Sequence, residues 1–355
     1  MKGNKEMKKV FIMAYLRKNL GDDLFLTMLL EKYKNIDFYI KHNKYEFVDI
    51  LDRYDNLHVI YGADTDEELY QLDVNEYDAY VYIGGSIFME GGHCYNLSEK
   101  FYDFVKRCKK NNKPFCYISC NFGPYQTQEY FELSKKDFKE CTDICFRDLY
   151  SYNLFKDIET VRYAPDLAFS YNIPKVEKQK NTIGISLINL NIRKDFKDKN
   201  EKYIKFLVEN IKNYISLGKD VFLFSFCKYE GDEDTMDDVL KLFPNENHLH
   251  VVKYTGDVCK FINQYNLMEC MICSRFHAMI LSLIAMQKIY VVSYSKKIDR
   301  VIEDLNLDLP VLHISELEDN SEILFDQFKL VENKKIQEIS EKAQMQDEAI
   351  RKYII

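Results

Sequence analysis

Short apolar runs alternate with longer amphipathic ones along almost the whole chain. A parallel sheet covered by helices on both faces produces that rhythm, because its strands are buried on both sides while each helix keeps one side in water. In the first half the pattern predicts strands over residues 9–15, 37–40, 57–60, 79–83, 115–119, 143–146 and 161–163. Helices are expected over 22–33, near 45–53, over 97–110 and over 148–155. The pattern lapses between Tyr171 and Asn181 into a polar, Pro-containing stretch with no periodic face, which marks a domain boundary. It then restarts, with strands over 182–187, 220–226, 250–253, 268–273, 289–293 and 311–313 and helices over 200–217, 232–243, 257–266, 276–286 and 297–305. Residues 321–355 are charged and have a helical period. The reading is therefore an α/β protein with two Rossmann-like domains, 1–172 and 182–315, facing across a cleft. A C-terminal helical segment, 316–355, packs back on the body.

Composition fits this picture and removes other classes. With 355 residues, 46% apolar and 30% charged, the chain can fill two cores and is too hydrophobic for disorder. A net charge of −8 argues against nucleic acid as a general partner. No apolar run is long enough for a transmembrane segment, and the first nine residues lead into a strand pattern instead of a signal-peptide core, so a cytoplasmic protein is expected. The ten cysteines include a Cys270-x-x-Cys273 pair, but most lie in apolar sequence, where Cys behaves as a small core residue. No metal site is expected.

The candidate chemistry collects where strands end. In an open α/β sheet, ligands bind beyond the carboxyl ends of the strands, where helix N-termini favour anions. Arg275 and His277 stand there, at a strand-to-helix junction. An isolated pair of this kind is commonly a surface Arg beside a capping or core His. Here Arg193, Lys296 and Lys297 also follow strands of the same half, so a small, multiply charged anion is expected to bind there. In the first half, the loop Arg17–Asp23 with Asn19, Gly21 and Asp22, and the loop with Gly84, Gly85, Ser86, Gly91 and Gly92, hold five of the chain's twelve glycines. They suggest a lining that lets a substrate approach the backbone. Asn121, Arg147-Asp148 and Asp166 follow further strands; Asp148 is expected to cap a helix, and Asp166 to serve either a structural turn or a cleft.

Taken in serial order, these segments resemble the polysaccharide pyruvyl transferase family. The resemblance runs over about residues 9–305, through Asn19-x-Gly21-Asp22, Gly84-Gly85-Ser86, Asn121-Phe122-Gly123-Pro124, Arg147-Asp148-x-x-Ser151 and Pro165-Asp166-Leu167-Ala168, then Gly184-Ile185-Ser186, Arg275-Phe276-His277-Ala278 and Tyr294-Ser295-x-Lys297. It implies a GT-B-like fold and transfer of the pyruvyl group of phosphoenolpyruvate onto two hydroxyls of a sugar, as a cyclic ketal, in cell-surface polysaccharide biosynthesis. The implied acceptor is a sugar or a lipid-linked oligosaccharide; the latter would bring the protein to a membrane surface as a peripheral visitor. The family's Arg-Leu-His motif falls on Arg275, Phe276 and His277, and the sequence departs from it with Phe276, and with Ser86 where a third glycine is common.

Ketal formation from an enol phosphate needs an acid for the methylene carbon, cations for carboxylate and phosphate, and a base for the attacking hydroxyl. His277 is the expected acid, with Asp166 or Glu90 as base. Arg275, Arg193, Lys297 and Ser295 would hold the donor, and Asn19, Gly21, Asp22, Gly84, Gly85, Ser86 and Asn121 the acceptor. No cofactor or metal enters beyond the co-substrate phosphoenolpyruvate. Two rivals stand beside this reading. A GT-B glycosyltransferase using a nucleotide sugar would share the fold, though no Glu-rich ribose-binding segment is found. A non-catalytic sugar-binding protein would rely on aromatic platforms, which 27 Tyr could supply but the absence of Trp disfavours.

Overall fold

The computed structural model describes residues 7–42, 50, 53–62, 70–91, 97–318 and 321–355. The predicted helix near 45–53 and Gly92 lie largely or wholly outside them. The first half runs β1 (Lys8–Met13), α1 (Leu20–Lys32), β2 (Ile36–His42), β3 (Leu57–Tyr61), β4 (Ala79–Ile83), α2 (Glu99–Lys110), β5 (Phe115–Cys120), α3 (Gln128–Glu140), β6 (Asp143–Phe146), α4 (Leu149–Phe155) and β7 (Val161–Tyr163). The second runs β8 (Gln179–Ser186), α5 (Asn200–Ser216), β9 (Asp220–Ser225), α6 (Asp232–Leu240), β10 (Leu249–Lys253), α7 (Val258–Tyr265), β11 (Met268–Cys273), α8 (Phe276–Ile284), β12 (Lys288–Ser293), α9 (Lys296–Asp304) and β13 (Val311–His313). Helices α10 (Asn333–Ala343) and α11 (Glu348–Tyr353) follow.

Among the described residues the strands form two sheets, ordered β3-β2-β1-β4-β5-β6-β7 and β10-β9-β8-β11-β12-β13, with parallel pairing throughout. The strand order reverses between β1 and β4 in one and between β8 and β11 in the other. Crossover helices leave toward opposite faces at such a point, so the loops beyond the strand ends diverge and leave room for a ligand. The chain divides into two compact units. One comprises Met1–Leu16, Asp22–Ser170 and Ser340–Ile355; the other comprises Arg17–Gly21 and Tyr171–Ile339.

The first unit's core is aromatic: Phe138 packs edge-to-face on Phe88, Phe122, Phe146 and Phe155, and Tyr80 on Phe104. The second is mainly aliphatic, built on Ile183, Ile185, Leu207, Ile211, Leu223 and Ile272. Eight of the nine described cysteines are buried and all nine are free thiols, consistent with a packing role; burial pushes Cys108 up to about 12. No described helix is long and apolar enough to cross a membrane.

Two features depart from the sequence pattern. Helix α3 is absent from it, although Thr127 caps it by accepting from Tyr130 N, and Tyr130 and Phe138 are buried eight positions apart. The segment 321–332 forms no α-helix, only a single 3-10 turn at Phe325–Gln327: Lys329 pairs with Ile289 in an antiparallel bridge, and Ile323 and Phe328 are buried against the second core. Two apolar anchors in the second core outweigh the α-helical propensity of the charged residues between them.

The segment 340–355 completes the first unit. Gln346 accepts from Ser119 N at 2.9 Å and donates to Ala164 O at 2.6 Å, satisfying groups where β5 and β7 end. Asp347 is buried, and receives Lys32 at 2.5 Å, the Tyr33 hydroxyl at 3.0 Å and Arg351 at 2.8 Å.

Asp137 on α3 is fully buried. It accepts from the Tyr117 hydroxyl at 2.5 Å, yet its Oδ1 has no hydrogen-bond partner. Burial pushes its carboxyl up to about 7, against the opposing pull of the Tyr117 hydrogen bond. A folded-state value above the unfolded one, about 3.9 for Asp, means that stability is fully present below pH 4 and is lost as pH rises through 7. Chemical denaturation at pH 5 and pH 8 should show Asp137→Asn losing less stability over this interval than the wild type, by a few kcal/mol. Parallel pH dependences in the two proteins would contradict the assignment.

Candidate active site

In the second unit four strand ends converge on one cluster. β11 gives way at Ser274 to Arg275, the N-cap of α8, whose apolar sequence and burial hold that helix against the sheet. Ser186, ending β8, takes the Ser274 and Arg275 amides on its hydroxyl at 2.8 and 3.2 Å. Those two N–H groups are therefore satisfied within the protein.

Arg275 is itself only 7% exposed. Its Nη1 donates to Glu230 at 2.5 Å, its Nη2 to Asp232, and its Nε contacts Leu187 O at 3.4 Å. Arg275, expected to hold the donor, is thus already engaged by the protein, because a buried guanidinium demands carboxylates of its own. Glu230 also receives Arg193 Nη2 at 2.5 Å and Asn19 Nδ2 at 3.0 Å. Burial pushes the Glu230 carboxyl up, but Arg275, Arg193 and Lys297 outweigh it and hold it far below the ordinary carboxylate range. Sequence reasoning missed Glu230 and Asp232. The signal was there: two carboxylates and Gly231 directly after the β9 strand pattern.

β12 leads to Tyr294, Ser295 and α9. Arg193 lies over the Tyr294 ring at 5.3 Å, and Lys297 over the Phe276 ring at 5.8 Å. Burial works to raise the Tyr294 phenol, yet Lys297, Arg193 and Arg275 together leave it below the ordinary tyrosine value. The Ser295 hydroxyl is buried without a hydrogen-bond partner, at the N-cap of α9, which has no side-chain cap.

Phe276 is buried, with His277 edge-on to it at 5.2 Å. The imidazole lies against the backbone of Gly21: a methyl group there would fall 1.8 Å from His277 Nδ1. Glycine at 21 is required by that approach. The sequence assigned Asn19 and Gly21 to the acceptor loops of the first domain, whereas both belong to this cluster; Leu20 N reaches Phe226 O at 3.1 Å and Asn19 bridges Cys227.

The remaining predicted residues form a separate network in the first unit. Arg147 is buried and donates to Asp166 at 2.8 Å and to Asn121 at 2.6 Å; Ser86 donates to Asn121 at 3.3 Å, and Asn121 N to Gly85 O at 2.7 Å. A methyl at Gly85 would come within 2.3 Å of the Arg147 guanidinium, so Gly85 makes room for an arginine of the protein itself. Asp22 opens α1 and lies 4.0 Å from where a Gly84 methyl would be. Asp148 caps α4 through Ser151 N at 2.7 Å, as expected.

Two residues expected as bases are engaged structurally. Asp166 is 1% exposed, paired to Arg147, and accepts from Ala168 N at 2.9 Å. Glu90 accepts from the Gln126 and Thr127 amides at 2.5 and 2.9 Å and from the Thr127 hydroxyl at 2.5 Å, which lowers its carboxyl below the usual value; it fastens the loop before α3. Among the described residues no group of three or more His, Cys, Asp or Glu could hold a metal ion.

The chain is similar to solved UDP-GlcNAc 2-epimerases. That of Neisseria meningitidis bound to UDP-GlcNAc has 10% identity and a TM-score of 0.59, over 98% of this chain and all of the other. A putative enzyme from Listeria monocytogenes has 9% identity and a TM-score of 0.58, over 98% and 91%. That of Methanocaldococcus jannaschii with UDP-GlcNAc and UDP has 10% identity and a TM-score of 0.55, over 95% and 99%. At such identity the likeness shows the fold alone, which is of the GT-B type. No curated protein matches the sequence significantly. The model of one family does match, over residues 18–296, a span that takes in every motif from the Asn19 loop to Ser295: the chain belongs to the polysaccharide pyruvyl transferase family.

Proposed function

We propose that the protein is a phosphoenolpyruvate-dependent pyruvyltransferase that forms a cyclic ketal on two hydroxyls of a sugar acceptor, in cytoplasmic synthesis of a cell-surface polysaccharide. The observation that carries this reading is the convergence of Arg193, Arg275 and Lys297 with His277 and Tyr294 at the strand ends of the second unit, in a chain of this family. Three cations suit a ligand bearing both a carboxylate and a phosphoryl group. Lys297 and the orphaned Ser295 hydroxyl are the groups best able to receive the phosphoryl oxygens, since Arg275 is committed to Glu230 and Asp232.

In the proposed reaction His277 gives a proton to the methylene carbon, and the first sugar hydroxyl attacks the resulting cationic carbon. Phosphate leaves as its C–O bond breaks, and the second hydroxyl closes the ketal. Of the two hydroxyl protons, one restores His277 and the other departs on phosphate. Neither Asp166 nor Glu90 is retained as base, because both carboxylates are engaged elsewhere. The leaving phosphate, with a second pKa of about 6 in its esters, is a sufficient acceptor. The reaction in this form calls on no metal or cofactor.

Incubating the protein with phosphoenolpyruvate and with nucleotide sugars, in the presence of candidate acceptors, tests this reading. Acceptor-dependent release of inorganic phosphate is expected; release of nucleoside diphosphate alone would assign the protein to glycosyl transfer, and binding without release to a non-catalytic role. His277→Gln should lower turnover by about 10²–10⁴-fold with donor affinity nearly intact. Gly21→Ala should also depress turnover by displacing the imidazole, although residue 21 carries no chemistry. Lys297→Ala should raise the donor KM without a comparable loss of stability. Arg275→Ala should destabilise the fold by about 3–5 kcal/mol, since it strands the buried Asp232 carboxylate.

A further inference from the structure

Arg193 and Arg275 already share an anion. Glu230 Oε2 accepts from both guanidinium groups at 2.5 Å, and its Oε1 accepts from Asn19 at 3.0 Å. A carboxylate in that position does for the arginines what a substrate carboxylate or phosphate would do.

The two acidic residues of the cluster are held in different ways. Asp232 is fully buried and accepts from the Phe226 and Cys227 amides at 2.9 and 3.0 Å as well as from Arg275, so backbone fixes it in place. Glu230 is held by the side chains of Asn19, Arg193 and Arg275, and its own side chain is 24% exposed. It ends the single turn Lys228–Glu230, between the exposed Tyr229 and Gly231. One carboxylate is built in; the other rests on the groups with which it pairs.

Charge gives that difference a use. With Arg193, Arg275 and Lys297 against Glu230 and Asp232, the cluster carries a net charge of +1; without Glu230 it carries +2. A phosphoryl group adds about −2 near neutral pH, and the donor's carboxylate adds another negative charge. Glu230 in its present position competes with that ligand, while in an empty site it spares two neighbouring guanidinium groups their mutual repulsion.

Resting on the pyruvyltransferase reading, we propose that Glu230 is the resident counter-ion of the donor site. It is a positioning residue that aligns Arg193 and Arg275 in the empty site, yields them to the donor's anionic groups, and takes them back as phosphate leaves. It thereby sets how strongly the product is retained.

The test compares the full-length wild type with Glu230→Gln and Glu230→Asp. Inorganic phosphate binding is measured by calorimetry, and donor KM and kcat by phosphate release. Glu230→Gln should bind phosphate at least about tenfold more tightly, because the competing charge is gone while the hydrogen-bonding shape remains. Its donor KM should fall together with kcat, as product leaves more slowly, whereas Glu230→Asp, which keeps the charge but is too short to span both arginines, should bind phosphate more tightly than the wild type and less tightly than Glu230→Gln. Unchanged or weaker phosphate binding in Glu230→Gln, or no measurable binding in any of the three proteins, overturns the proposal. A folded Glu230→Gln protein is verified by thermal denaturation, and a variant that does not fold passes the comparison to Glu230→Asp. That shorter side chain must then bind phosphate more tightly than the wild type, because it cannot span both arginines; failure to do so is equally an overturn. Phosphate binding is read without turnover, so an inactive wild type would count against the pyruvyltransferase reading alone.

Discussion

The second unit's chemistry depends on the placement of one buried positive charge. The Arg275 guanidinium sits at a strand-to-helix junction where water cannot solvate it, and the chain answers with Asp232 on its Nη2 and Glu230 on its Nη1. Desolvation of an ion costs several kcal/mol unless it is paired with good geometry. That requirement fixes much else: Asp232 needs the Phe226 and Cys227 amides, Glu230 gathers Arg193 and Asn19, and Ser186 holds the amides of Ser274 and Arg275. A cluster organised in this way stays positive overall without any cation standing alone in a dry interior.

The first unit solves a similar problem with other residues. Arg147 is buried where β6 ends, with Asp166 and Asn121 as partners and Gly85 pared down to let the guanidinium pass. In both units an arginine just beyond a strand's carboxyl end is built into the protein by its own acceptors. The glycine that accompanies it, Gly85 in one case and Gly21 beneath His277 in the other, makes room for a side chain of the protein.

Much of this architecture was legible in the sequence. Continuous apolar strands and amphipathic helices gave the two parallel sheets, and β11 and the start of α8 fall where the pattern put them. The helix α3 was missed because its amphipathic turns follow the Asn121-Phe122-Gly123-Pro124 loop with few aliphatic residues, and the irregular course of 321–332 because local charge pattern is silent about the bridge to Ile289. At the site, residue type and place along the strands pointed to Arg275, His277 and Lys297. What a linear pattern does not carry is which charges neutralise one another: Glu230 lies 45 positions from Arg275, and Glu90 spends its carboxylate on the Thr127 loop. The corrections to the expected bases and to the availability of Arg275 share that cause.

The return of residues 340–355 to the first unit has a consequence for how the protein is made. Gln346 fills hydrogen-bonding positions at Ser119 and Ala164, and Asp347 joins Lys32 and Tyr33. During synthesis the first sheet therefore waits, with those amide and carbonyl groups unmatched, while the second unit is translated and can close on itself. A ribosome stalled anywhere between residues 171 and 339 would hold a first unit that lacks its last segment.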